Sequence, residues 1–206
     1  MVNQPEIATE VSEPGTLKIL EITTDHAVGA RIFRHDVQII NYITWNDFPE
    51  GHHLAPEVNH NFGPSLLLRY FKQQWKSPGS KLNQDQAVVF FKKYRHDAQP
   101  QFSVALQVQS DNKDLASEDR VELVTMLREP ARCYLNDRLL GLARAGLQVH
   151  SIPSQPGPVR VRVLRGNEEV IRFQAPELIS AAPYRTDRLT YSYSSLFQSE
   201  FGKLFK

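Results

Sequence analysis

The apolar positions of the chain change their period part-way along, and that change divides it. Leu17 to Ile22 alternates as a strand does, and Val37 to Trp45 is a nearly continuous β-branched and aromatic run, as a strand buried on both faces should be. Between them, Ala27 to Phe33 reads as the end of a helix. A loop rich in Asn, Asp, Gly, Pro and His follows over residues 46–63, and Pro64 to Trp75 then sets Leu67, Tyr70, Phe71 and Trp75 on one side of a helix. Strand, long polar loop and helix together predict one βα unit.

Ser77-Pro78-Gly79-Ser80 punctuates the chain, and beyond it the signal becomes short strands separated by turns. Strands are expected over Ala87 to Tyr94, Phe102 to Gln109, Arg120 to Leu127, Ala131 to Asn136, Leu147 to Ile152, Val159 to Leu164 and Glu168 to Phe173. Turn residues around Arg165-Gly166-Asn167 suit a hairpin between the last two. Val121 to Leu142 also carries helical spacing through Val124, Leu127, Leu135, Leu139 and Leu142, but Pro130 interrupts it and the strand reading is kept. Leu196, Phe197, Phe201, Leu204 and Phe205 share a helical face over Ser194 to Lys206, predicting a closing helix. The expected organisation is a leader with little order over 1–16, a βα segment over 17–80 and a β-sandwich with a C-terminal helix over 83–206.

Composition bounds the function without choosing it. Hydrophobic residues make up 41% and charged residues 23% of 206 positions, an ordinary globular balance. No run reaches the roughly 20 apolar residues of a membrane span, and Met1 to Glu6 lacks the basic-then-apolar order of a signal peptide. The single cysteine, Cys133, excludes an internal disulfide and a Cys-based zinc cage, and reads as a packed core residue. Net charge is +1, with three Lys/Arg against nine Asp/Glu in residues 1–60 and eleven against six in residues 131–206. The alternation in Val159-Arg160-Val161-Arg162-Val163 assigns those cations to the solvent face of a sheet rather than to nucleic acid.

The chemistry-bearing stretch runs from Tyr42 to Pro56. A buried strand ends there in a loop holding two carboxylates, Asp47 and Glu50, with Trp45, Asn46, His52 and His53. An aromatic face stacks on the apolar side of a pyranose, while Asn and His satisfy hydroxyls. Two carboxyls in different environments can protonate a leaving oxygen and assist at the anomeric centre. On residue types alone, the same acids also read as solvated loop residues. A metal reading of His53, Glu57 and His60 is weaker, because Pro56 breaks the helix that would align them. No metal or cofactor is expected.

The order of residues narrows the choice. The stretch resembles the final barrel strand of the endo-α-1,3-glucanase (mutanase) family of glycoside hydrolases, with the pattern Trp-Asn-Asp-Tyr-Gly-Glu-Ser-His-Tyr-Ile-Gly-Pro. Trp45, Asn46, Asp47, Glu50, His52 and Pro56 match it, whereas Pro49 and Gly51 depart. It is also similar to the endo-α-mannosidase family, whose Asn-Glu-Trp-His-Glu-Gly sets its two acids at the positions of Asp47 and Glu50. The resemblance implies the closing βα units of a (β/α)8 barrel ahead of the sandwich, with α-linked polysaccharide, α-1,3-glucan above all, as substrate. It implies Glu50 as general acid and Asp47 as the group activating water or, in the mannosidase pattern, the substrate's own 2-hydroxyl. Val88 to Asp97 loosely resembles the strand that opens the mutanase C-terminal domain. Secretion is expected of full-length relatives. A barrel takes about 250 residues, so a weakly active chain, or a partner chain supplying the missing strands, is expected. The competing expectation is a non-catalytic carbohydrate-binding or structural sandwich, with Tyr184, Tyr191 and Tyr193 as its exposed aromatics.

Overall fold

A computed structural model of the chain describes residues 61–102, 119–184 and 190–196, and the backbone of residues 16–19 and 39–42. The described residues fall into two compact units. In the first, strand β1 (Thr16–Ile19) pairs in parallel with β2 (Ile39–Tyr42), in the register Thr16 to Ile39 and Ile19 to Tyr42. Helix α1 (Gly63–Lys76) follows, with Pro64 in its first turn, where no backbone donor is required of it. Leu66 and Leu67 are buried and Arg69, Lys72 and Lys76 exposed; of the expected stripe Leu67 is buried, while Tyr70, Phe71 and Trp75 are half-buried. The helix stops at a type II turn: Ser80 donates to the Ser77 carbonyl at 3.0 Å, with Pro78 and a left-handed Gly79 (φ 73°) in the central positions. Gln74 Nε2 also donates to the Ser80 carbonyl at 2.9 Å.

The second unit is sandwich-like and antiparallel. Its strands are β3 (Gln86–Lys92), β4 (Arg120–Leu127), β5 (Ala131–Leu135), β6 (Arg138–Ala143), β7 (Gly146–Pro153), β8 (Arg160–Arg165), β9 (Glu168–Gln174) and β10 (Thr190–Ser194). They form two four-stranded sheets, ordered β10-β3-β4-β7 and β6-β5-β8-β9. One core joins them: Val89, Phe91, Leu123, Leu127, Tyr191 and Tyr193 from the first sheet meet Cys133, Leu135, Val161, Val163, Ile171 and Phe173 from the second. Burying side chains of this size stabilises by about 1.5–3 kcal/mol each, and period-two alternation in both sheets supplies them. The solvent face of β8 carries Arg160 and Arg162, as expected, with Arg162 paired to Glu169 at 3.1 Å.

The first sheet has buried side chains on its other face as well. Val88, Phe90, Val124 and Met126 are all buried there, which accounts for the continuous apolar run of β3. Gly63, which belongs to this second unit, lies against this face, and a Cβ on it would clash with the Ser192 hydroxyl and with Phe90.

Two strands were not foreseen. β6 exists because Asn136 and Asp137 both adopt left-handed φ, 49° and 62°, closing a two-residue type I′ hairpin between Leu135 and Arg138. The helical spacing through Leu139 and Leu142 is thereby overruled, and those two leucines stand exposed at 53% and 64%. A bulge at Leu140, beside Gly141 (φ 137°), shifts the β5–β6 register. The expected β8–β9 hairpin is present, with left-handed Gly166 (φ 62°) first in its two-residue turn. β10 arises from the alternation Thr190-Tyr191-Ser192-Tyr193-Ser194 and pairs with β3. Ser194 to Leu196 is therefore strand and bend rather than the start of a helix. The rest of the expected closing helix, the helix end at Ala27 to Phe33, the leader up to Gly15 and the strand expected beyond Phe102 lie outside the described residues.

Candidate functional site

Asp47, Glu50, Trp45, Asn46, His52 and His53 lie outside the described residues, as do the alternative metal set His53, Glu57 and His60. What is described is the backbone on either side: β2 ends at Tyr42, paired in parallel with β1, and α1 begins at Gly63. In sequence, Asp47 and Glu50 fall between Tyr42 and Gly63.

A second concentration of polar side chains lies at one end of the sandwich, where β3 finishes and β4 begins. Asp119 is buried, with its side chain 5% exposed, immediately before β4. Both of its carboxylate oxygens accept from the His96 backbone N–H, at 3.0 and 3.1 Å, and Oδ2 lies 2.6 Å from His96 Nδ1. The Ser154 N–H donates to the Asp119 carbonyl at 2.8 Å, and Arg95 reaches the Ser154 carbonyl at 3.4 Å. Arg95 also grips Asp97 with two N–H groups, at 3.0 and 3.2 Å. His96, Asp97 and Asp119 bring three possible ligand atoms within 4.8 Å of one another. Each is already engaged, however: binding an ion there would take Asp97 from Arg95 and Asp119 from the His96 main chain. The arrangement fits a clasp holding the ends of β3, β4 and β7 together. The partner of His96 stands 23 residues away and left no local signal in the sequence.

The aromatic candidates need correction. Tyr191 and Tyr193 are buried, at 5% and 8%, and their rings stack on Phe91 with centroids 6.1 and 6.4 Å away. They belong to the core, because alternation along β10 turns both inward. Tyr184 alone of the three is exposed, at 59%, and its neighbour is Phe102, at 57%, with ring centroids 4.9 Å apart. Two backbone bonds hold this pair together: Gln101 N–H to the Pro183 carbonyl at 2.8 Å and Phe102 N–H to the Tyr184 carbonyl at 3.3 Å.

At the opposite end of the sandwich, Asp85 joins the two sheets. Arg165, closing β8, donates to both its oxygens at 3.0 Å, and the Arg128 backbone N–H adds a third bond at 2.8 Å. Burial alone would raise the Asp85 pKa, but the Arg165 and Arg128 donors and charges outweigh it and hold the carboxyl below its ordinary range. Burial pushes the Cys133 thiol up to about 11, which fits a core role and not a nucleophile. Among the described residues, no helix is long and apolar enough to cross a membrane. Comparison with known protein families, with curated proteins and with solved structures finds no match to this chain.

Proposed function

We propose that the chain is the C-terminal portion of a glycoside hydrolase acting on α-linked polysaccharide, with α-1,3-glucan as the substrate. Glu50 is the general acid and Asp47 the partner carboxylate, and Trp45, Asn46, His52 and His53 contact the sugar. The observation that carries the reading is the parallel pairing of β1 with β2 ahead of a helix. A parallel pair followed by a helix is the repeating step of a (β/α)8 barrel, and Asp47 and Glu50 fall in sequence between that strand and that helix. The sandwich-like unit beyond residue 80 accords with the β-domain that follows the barrel in the mutanase pattern.

The test uses α-1,3-linked oligosaccharides. Binding by titration calorimetry should weaken at least about tenfold, or 1.4 kcal/mol, in Trp45→Ala and in Asn46→Ala. Whatever release of reducing sugar the chain gives should vanish in Asp47→Asn and in Glu50→Gln. Oligosaccharide binding that ignores Trp45 and Asn46, or turnover that survives both acid substitutions, would overturn the proposal.

A further inference from the structure

The outer face of the second sheet carries an apolar strip whose members the strand register places side by side. Leu142 stands opposite Arg132 and Arg132 opposite Leu164; in the next row Leu139 stands opposite Tyr134 and Tyr134 opposite Arg162. Cross-strand partners in an antiparallel ladder point to one side. The residues between them on β5 and β8 face the core, so this set shares the solvent side. Leu139 and Leu142 are more than half exposed, and Tyr134 and Leu164 are half-buried. The Arg162 guanidinium lies over the Tyr134 ring, 5.5 Å from its centroid.

The charges around the strip are not balanced. Arg160, Arg162 and Arg172 each meet Asp137 or Glu169 of the same sheet, at 3.1–3.6 Å. Arg132 instead donates to the Gly166 carbonyl at 2.7 Å. Exposed Arg144, just past the end of β6, continues the alternation of Leu142. Among the described residues neither Arg132 nor Arg144 has a carboxylate partner. No lysine occurs in residues 119–184, so the cations here are arginines. Arginine binds a carboxylate through a planar two-bond fork, sheds water more readily than lysine does and is enriched where proteins meet.

These features restrict the occupant. The leucines call for apolar side chains, and the two unmatched guanidiniums call for carboxylates. An acidic protein segment that interleaves aliphatic and acidic residues supplies both. A nucleic acid would press the leucines against phosphates and meet Asp137 and Glu169 on the way. An anionic membrane is flat and would have to meet Asp137 and Glu168, both exposed in the hairpin turns, together with the arginines. A second copy on the same face would set Arg132 and Arg144 against a second set of unmatched cations.

We infer that the outer face of β5, β6 and β8 docks an acidic protein segment, with Leu139 and Leu142 as the apolar contacts and Arg132 and Arg144 as the carboxylate contacts. The inference stands on this face alone and does not depend on the function proposed above.

The experiment titrates a labelled synthetic peptide of alternating Glu and Leu with the full chain and reads fluorescence anisotropy. A Lys/Leu peptide of equal length, labelled single-stranded DNA and phosphatidylserine vesicles serve as the competing probes. Leu139→Ser/Leu142→Ser and Arg132→Gln/Arg144→Gln should each weaken Glu/Leu binding at least about tenfold. The arginine variant should also flatten its dependence on salt. All four side chains are exposed, so both variants should melt near the parent temperature. Arg144→Glu lies outside the strand and gives a second readout: it should weaken Glu/Leu binding and strengthen Lys/Leu binding. Asp47→Asn should bind like the parent, whether or not the chain cuts polysaccharide. A folded parent that ignores the Glu/Leu peptide, equal binding by either double variant, or equal binding of the Lys/Leu peptide overturns the docking surface. So does tighter binding of DNA or vesicles that the same variants abolish.

Discussion

Replacing Arg165 by Met tests whether the Asp85 carboxylate couples the two sheets. Asp85 has an 8% exposed side chain and Arg165 a 21% exposed one, so solvent screens this pair less than a surface ion pair. Losing Arg165 removes two charge-assisted bonds of 3.0 Å and leaves the carboxylate with the Arg128 N–H at 2.8 Å and the Arg128 guanidinium at 3.7 Å. Hydrogen bonds to charged groups contribute about 1.5–3 kcal/mol, and an abandoned buried charge adds a desolvation cost. The remaining Arg128 contacts offset part of this, so a loss of about 2–3 kcal/mol is expected for Arg165→Met and about 1–2 kcal/mol for Asp85→Asn. The double variant should fall short of the sum by about 1–2 kcal/mol. Urea unfolding followed by circular dichroism reads this directly: at a slope of about 2 kcal/mol/M, the Arg165→Met midpoint should drop by roughly 1 M. The sign with pH follows from the lowered carboxyl. Its stabilisation is complete above the ordinary Asp value of 3.8 and is lost as pH falls through the lower folded value, so the gap between parent and Asp85→Asn closes in acid. An additive cycle, or an Arg165→Met midpoint within about 0.2 M of the parent, would refute the coupling.

Other expectations are independent of that pair. The Cys133 thiol, fully buried, should stay unreactive toward a thiol reagent in the native protein and react with one equivalent on unfolding; rapid native labelling would show that the core does not close over β5. His150, on β7 opposite Leu123, has a buried Nε2 without a partner, and desolvation lowers its pKa. The folded state thus prefers neutral imidazole: stability is full above the ordinary value of 6.5 and falls as pH drops through the lower folded value. His150→Leu should flatten the melting temperature between about pH 7.5 and pH 5.5, and an unchanged slope would contradict this. Gly63→Ala should cost about 1–3 kcal/mol through overpacking, with partial recovery in Ser192→Gly; a neutral Gly63→Ala would mean that the approach to β10 is looser than described.

Where local pattern and burial agreed, the fold was readable. The β4, β5, β7, β8 and β9 strands and α1 follow from period-two or period-3.6 apolar positions, and the Gly166-Asn167 turn announced its hairpin. β6 was hidden because Leu139, Leu140 and Leu142 have helical spacing, and what decides them is a left-handed Asn136-Asp137 pair that residue type alone only permits. β10 was hidden because tyrosine is amphipathic: the same Tyr191 and Tyr193 suit a sugar platform or a core, and pairing with β3 turned them inward. The proposed acid pair rests on residue order alone, since Asp47 and Glu50 have no spacing that distinguishes a pocket from a solvated segment. The Phe102 and Tyr184 corner left no trace in sequence, because its halves are 82 positions apart and meet through two backbone bonds.

The bulge on β6 has a bearing on how the molecule behaves when crowded. β6 is an outer strand of its sheet, and a straight outer strand with bare leucines at 139 and 142 would invite a neighbouring copy to dock along its free amides. The extra residue at Leu140 breaks the ladder's rhythm, and exposed Arg138 and Arg144 place like charges at the two ends of the strand. Two such borders brought face to face would mismatch in spacing and repel in sign, which lets the chain display apolar leucines without assembling into ribbons.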